Sequence, residues 1–186
     1  MFVRWRELLP HSGLLVASVM PRVSRNNKSA GSKGRALKRP TASSVEVRHR
    51  MQVTRRRDTP GELALRSALR DYGLRYRVDV KLPGSRRRAD VAFIWAKVAI
   101  FVDGCFWHGC PQHGTWPKTN AEWWRKKLRS NQRHDRDTDH MLKAQGWTVL
   151  RFWEHTDPIV AARRVVKVLK DRHEGRYSEA SRQAKD

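Results

Sequence analysis

Both cysteines of this 186-residue chain lie in one short stretch, Phe101-Val-Asp-Gly-Cys-Phe-Trp-His-Gly-Cys-Pro-Gln-His113. Two thiols so close together cannot staple distant parts of a chain this size. No export signal is read at the N-terminus: Leu14-Leu15-Val16-Ala17 is short, and no cleavage region follows before Arg22. Reduced thiols are therefore expected, and metal ligation is the better use of them. Cys105-x4-Cys110-x2-His113 offers three zinc-type ligands within one loop. The fourth must come from elsewhere, and His155, just past an apolar strand, is the best placed. Four such ligands and no open position describe structural zinc. The alternative is a pair of buried thiols among surface histidines. His108 competes with His113 as ligand; if His113 completes the set, His108 is left beside Asp103 as a candidate general base.

Charge narrows the partner. Forty Lys+Arg against eighteen Asp+Glu give a formal charge of +22, which favours encounter with a polyanion. A basic tail accounts for part of this, since residues 1–57 contain only two acids, Glu7 and Glu46. Residues 58–156 remain basic, so nucleic acid is the leading partner. A membrane surface is weaker, because no run approaches the roughly 20 apolar residues of a span and no long amphipathic basic helix is found.

Residues 1–44 are rich in Arg, Lys, Ser and Gly without periodicity and read as a disordered basic N-terminal extension. One folded domain is expected over residues 45–171, with residues 172–186 a flexible C-terminal tail. Thr59-Pro60-Gly61-Glu62 reads as a capping box with Pro at the first helical position, although Gly61 weakens the helix start. Leu63, Leu65, Ala68, Leu69 and Tyr72 continue a helical stripe to Gly73. Leu74–Val80, Ala89–Ile94 and Val98–Val102 read as strands, the last two joined through Trp95-Ala96-Lys97. Thr119-Asn-Ala-Glu122 reads as a second capping box before a helix to about Gln145; Thr148–Trp153 is a strand, and Asp157-Pro158 opens a helix to about Lys170. The order α-β-β-β-α-β-α predicts an α/β fold with a small mixed β-sheet flanked by helices.

Two carboxylates are out of place in that pattern. Pairing Ile94 with Val98 puts Asp90 opposite Val102, in an apolar strand beside the Cys/His loop. A carboxylate there is costly without a cation, so a divalent metal is its natural partner; the alternative is a solvated edge or an ion pair with Arg86–Arg88. In the long helix, Trp124, Leu128, Asn131, Asp135, Thr138 and Leu142 share one face. Asn131 and Asp135 interrupt this core-facing stripe and need polar partners, either an active site or a nearby arginine. Phe106-Trp107, in a polar loop with Trp116 and Trp123 near it in sequence, suggests stacking on or wedging between bases.

Taken together, Arg57-Asp-Thr-Pro-Gly-Glu62, Leu82-Pro-Gly84, Ala89-Asp-Val-Ala-Phe93, Phe101–Cys110, Pro117-Lys-Thr-Asn120, Trp123-Trp124, Asn131 with Asp135, and Gly146–His155 form a distinctive set. Over residues 45–157 the chain resembles the very-short-patch repair endonucleases, which nick DNA at T:G mismatches. The resemblance implies a restriction-endonuclease-like core with a structural zinc site. It also implies magnesium on Asp90 and on the Val102 backbone carbonyl, His108 activating the attacking water, and Glu62 and Asp135 orienting water or metal. Cys105, Cys110, His113 and His155 would hold structural zinc. Phe106, Trp107 and Trp124 would intercalate beside the mismatch, while Arg48, Arg50, Arg55 and Arg57 grip the duplex. The implied partner is double-stranded DNA with a T:G mismatch, met by a monomer that works with mismatch-repair proteins in a bacterial, nucleoid-associated cytoplasm.

Two other readings fit parts of the pattern. A zinc-stabilised DNA-binding protein without catalysis needs none of Glu62, Asp90, His108 and Asp135. A restriction-type nuclease of other specificity would share all four.

Overall fold

The computed structural model describes residues 40–41, 44–53, 57–84 and 87–183, with no side-chain description beyond residue 175. The extension expected over residues 1–44 thus lies almost wholly outside the described residues. Ala42–Asp186 form one compact unit. Its elements run α1 (Val45–Val53), α2 (Pro60–Asp71), β1 (Arg77–Lys81), β2 (Arg88–Phe93), β3 (Val98–Asp103), α3 (Cys105–His108), α4 (Ala121–Ala144), β4 (Thr148–Trp153) and α5 (Pro158–Gln183). The four strands form one sheet in the order β1-β2-β3-β4. β1–β2 and β2–β3 are antiparallel, whereas β3–β4 is parallel, so the sheet is mixed as expected.

Alternation along the central strands builds two cores. Val98 and Ile100 of β3 and Leu150 and Phe152 of β4 join Leu65 and Leu69 of α2 and Val165 and Leu169 of α5 on one face. Ala99 and Phe101 point to the other face, where Leu142 of α4 and Trp147 cover them. Helices therefore flank both faces, and β3 is buried over most of its length. Among the described residues no helix is long and apolar enough to cross a membrane.

The structure corrects several local expectations. The β2–β3 connection is a 3-10 turn, Ile94–Ala96, followed by Lys97 at φ 51°. Phe93, not Ile94, therefore pairs with Val98, and the register moves by one residue. β1 begins at Arg77 rather than Leu74, because the Leu74 N–H caps α2 by donating to the Leu69 carbonyl. The cap of α4 is Asn120 at φ 56°, without a side-chain bond; Glu122 instead pairs with Lys126 at 2.6 Å. The expected Thr119 capping box is not formed. α5 continues thirteen residues past Lys170 to Gln183, through a segment with no proline to stop it.

The first capping box forms, and its glycine acquires a purpose. The Thr59 hydroxyl accepts from the Glu62 N–H at 3.4 Å and donates to the Glu62 carboxylate at 3.0 Å. That carboxylate also accepts from the Asp58 N–H at 3.1 Å. A Cβ on Gly61 would lie 3.0 Å from the Glu154 carbonyl oxygen and 3.1 Å from its Cα. Gly61 thus lets the start of α2 approach the backbone just past β4. Gly61→Ala should therefore destabilise the protein by about 1–2 kcal/mol through overpacking, despite alanine's better helix propensity. A thermal or urea melt checks this; an unchanged or raised midpoint would mean that the contact yields easily.

Candidate active site

The parallel pairing of β3 with β4 ends at Asp103 opposite Trp153. The chain therefore leaves the sheet side by side after both strands. The Glu154 N–H donates to the Asp103 carbonyl at 3.0 Å, and the Glu154 carboxylate accepts from the Cys105 N–H at 2.7 Å. His155 comes next, with Nδ1 3.0 Å from Cys105 Sγ and 3.2 Å from His113 Nδ1. A single turn, α3, separates the two cysteines, and Gly109 at φ 67° turns the loop back so that the Cys110 N–H reaches the Cys105 carbonyl. One ligand atom from each of Cys105, Cys110, His113 and His155 lies within 4.8 Å of the others, a group able to hold a metal ion.

The chemistry of this group suits a cation. Burial, with Cys110 and Glu154 close by, pushes the Cys105 thiol up to about 12. Burial also works on Cys110, but the backbone N–H groups of His113 and Gln112 and the Cys105 thiol bring it below its ordinary value. A bound cation would hold both sulfurs as thiolates and so relieve the imbalance. Of the two histidines that competed at the sequence level, His113 lies with the cysteines, whereas His108 turns toward α4.

Asp90 sits where β2 stops pairing with β3, although β2 continues to pair with β1 on either side of it. Its Oδ2 accepts from the Val102 N–H at 2.7 Å, so the one-residue register change still leaves it beside Val102. Burial, chiefly, raises Asp90 to about 6; the Val102 N–H opposes this, Glu62 and Asp103 add to it, and Arg66 opposes. Arg88, a possible partner by sequence, binds Asp79 at 2.5 Å instead. Glu62 is buried and held by Arg66 at 3.0 Å. Arg66 itself is buried on the inner face of α2 and also binds Asp58.

His108 Nδ1 lies 2.6 Å from Asp135 Oδ2 and 3.5 Å from Asp103 Oδ1. Burial disfavours its charged form, but the Asp135 hydrogen bond and the charges of Asp103 and Asp135 prevail and raise the imidazole. Both polar interruptions of the α4 stripe thereby find partners, since Asn131 donates to the Trp107 carbonyl at 3.0 Å. Gln132 donates to the His108 carbonyl at 3.1 Å, fixing the end of α3. Arg151 joins the acids: it binds Asp103 at 2.7 Å and Asp139 at 3.0 Å, and lies 3.6 Å from Asp135. An open cavity of about 410 Å³ is lined by these groups, with Arg136 and Trp153.

Phe106 packs edge-on to Trp107 and Trp124, with ring centroids 5.1 and 5.2 Å apart, and Trp123 touches Trp124 at 4.9 Å. Trp124 is buried, so among the three rings expected to meet DNA it supports Phe106 and Trp107, which stay partly exposed. Arg48 is exposed on α1. Arg57 is exposed but engaged, with Asp79 at 3.0 Å. The Arg50 and Arg55 side chains lie outside the described residues.

The sequence that builds this site is similar to that of known proteins. Residues 43–113 match the family described as DNA mismatch endonuclease Vsr. The type II nicking enzyme V.NaeI of Lentzea aerocolonigenes is 48% identical over 122 residues, 64% of this chain and 74% of that protein. The chain belongs to the Vsr DNA mismatch endonuclease family. V.NmeDIP of Neisseria meningitidis serogroup C, also named a type II nicking enzyme, is 44% identical over 56% of this chain and 71% of its own length. DNA mismatch endonuclease Vsr of Escherichia coli K12 is 38% identical over 56% of this chain and 66% of its own length. The chain is thus a DNA endonuclease, and the reading of a zinc-clipped binder without catalysis is set aside.

For a member of the Vsr family, Asp103, Asp139, Arg151, Gln132 and Arg66 are the site neighbours that sequence reasoning did not assign. Arg151 between Leu150 and Phe152 carried a signal, a charge at the centre of an apolar strand. Replacing it leaves Asp103 and Asp139 without their cation. Arg151→Met should cost about 2 kcal/mol, below the roughly 3–5 kcal/mol of a fully buried pair because 21% of the Arg151 side chain is exposed. A denaturant titration measures this, and a loss of less than about 0.5 kcal/mol would reduce the network to a surface ion pair.

Proposed function

We propose that this endonuclease nicks the thymine-bearing strand 5′ of the thymine in T:G mismatches, in a magnesium-dependent reaction serving very-short-patch repair. The observation that carries the reading is the pairing of His108 with Asp135 at the edge of the β3 end that holds Asp90. The Escherichia coli relative, named a DNA mismatch endonuclease, supports the mismatch, and the relatives named nicking enzymes support cleavage of one strand. The four-stranded mixed sheet is read as restriction-endonuclease-like, and residues 45–171 as the endonuclease domain.

The residues fit a divalent cation. Asp90 is largely buried and meets the negative charges of Glu62 and Asp103, a crowding that a cation relieves. In a strand the N–H and C=O of one residue leave on the same edge, so the Val102 carbonyl accompanies its N–H toward Asp90. Asp90 and the Val102 carbonyl would hold magnesium, which when bound supplies stabilisation of the charge developing on the phosphate and the leaving oxygen.

The remaining work falls to the chain. With Nδ1–H donated to Asp135, His108 presents the lone pair of Nε2 to a water molecule and takes its proton as the oxygen attacks phosphorus. Asp135 then stabilises the imidazolium, as a carboxylate does beside a catalytic histidine. Glu62, fixed by Arg66 and the α2 cap and close enough for its charge to act on Asp90, orients water or metal. Phe106 and Trp107, resting on Trp124, enter the base stack beside the mismatch, where mispaired bases are easiest to separate. Arg48, Arg50, Arg55 and Arg57 would grip the duplex from the minor groove. Cys105, Cys110, His113 and His155 hold structural zinc, which fixes the loop bearing His108. The enzyme acts as a monomer in the bacterial cytoplasm, on nucleoid DNA, alongside mismatch-repair proteins.

Incubation with duplexes that differ only in T:G against T:A tests the specificity. The expected result is a single nick in the T:G duplex that requires Mg²⁺. Equal cleavage of both duplexes would instead point to a restriction-type nuclease of other specificity. Asp90→Ala and His108→Ala should each reduce the single-turnover rate by at least about 100-fold while the T:G duplex is still bound. Retention of more than a tenth of the rate would remove that residue from the chemistry.

Elemental analysis of purified protein should find one zinc per chain, absent in Cys105→Ser. Stripping it with a chelator should lower the melting temperature and release the loop. A metal-free protein of unchanged stability would refute the ligand set.

A further inference from the structure

We propose that the basic face of α4 bordering the cavity is a docking rail for the DNA phosphate backbone, an inference that rests on the reading of this chain as an enzyme of duplex DNA. Arg125, Arg129, Gln132, Arg136, His140 and Lys143 recur at spacings of four and three, which places them on one face of the 24-residue helix. Arg133 borders the row, and all of these except the half-buried Gln132 are exposed. From Arg125 to Lys143 the row extends about 27 Å at roughly 1.5 Å per residue, most of one turn of duplex.

The acids of α4 leave most of this row without a counter-charge. Glu122 lies before it, held by Lys126 at 2.6 Å, and its charge also meets Arg125 at the start of the row. Asp135 and Asp139 face the cavity and are taken by His108 and Arg151. Asp137 is exposed and lies four residues past Arg133, so it offsets that one arginine and not Arg125 or Arg129. A solvated helix face ordinarily sets acids four residues from bases. Here Arg125, Arg129 and Arg133 succeed one another at that spacing, so like charges repel along the helix. A polyanion lying against them relieves that repulsion and releases its own condensed counterions.

Position favours the same partner. Trp123 and Trp124, at the start of α4, belong to the aromatic group of Phe106 and Trp107. One turn past Leu128, Gln132, Asp135 and Arg136 line the cavity beside His108. A backbone following the row thus passes from the aromatic rings to the cleavage site along one rigid element. The contacts are to phosphates, so they set register and carry no base preference.

The test uses the full chain and two duplexes, T:A and T:G, with binding followed by fluorescence anisotropy across a series of KCl concentrations. The combined variant Arg125→Gln, Arg129→Gln, Arg133→Gln should lower the slope of log K against log salt by about 2–3, at about 0.9 for each phosphate no longer neutralised. Its Kd should rise on the order of tenfold or more, equally for both duplexes. The matching lysine variant should keep the parent's slope, because counterion release depends on charge. An unchanged slope in the glutamine variant overturns the rail and leaves the proposed function standing, as does a lysine variant that loses as much as the glutamine one. A parent that binds both duplexes with the full slope but does not nick T:G overturns the mismatch reading and leaves the rail.

Discussion

Six successive residue pairs join β3 to β4 in parallel, from Val98 with Thr148 to Asp103 with Trp153, and the site depends on this register. Because parallel strands end at the same edge of a sheet, the loops leaving β3 and β4 emerge together. Glu154 is thereby set to cap α3 through the Cys105 N–H, and His155 to meet the Cys105 thiol. A shift of one residue would turn His155 to the other side and open the metal group. The apolar faces resist such a shift, since Leu150 and Phe152 are buried in one core while Val149 packs against the other.

The same edge gathers the charges. Asp90 arrives from β2, Asp103 from β3, Arg151 from β4, His108 from α3 and Asp135 from α4. His108 meets Asp135 and Arg151 meets Asp103 across long stretches of chain, while Asp90 is held by the Val102 N–H. Burial raises Asp90 and Asp103, whereas the hydrogen bond to Asp135 and the nearby carboxylates outweigh burial at His108 and raise it too. Loop, sheet and helix are tied by specific bonds, Asn131 to the Trp107 carbonyl and Gln132 to the His108 carbonyl. Phe106, Trp107 and His108 are therefore carried by one turn, α3, clipped from both sides.

Much of this could be read from residues alone. The α2 cap, the long polar-interrupted helix, the mixed sheet and the four side chains able to hold a metal ion come from local rules of capping, periodicity and ligand type. The β2–β3 register did not, because Lys97 took up a left-handed conformation and lengthened the connection by one residue. Thr119 failed as a cap for a similar reason, with Asn120 adopting positive φ. Gly61 looked like a weak choice until Glu154 was found against it, a contact between residues far apart in the chain.

By itself, the sequence determined the ligand types, the basic charge, the period of each element and the family to which these motifs point. Only the tertiary structure decided which histidine sits with the cysteines and which with Asp135, because His108 and His113 are chemically alike and differ only in the direction their loop gives them. It also decided that Asp103 and Arg151 belong to the site. Spacing along a chain fixes which residues share a local face. Which faces then meet depends on strand register and helix packing, and those are settled by burial over the whole domain.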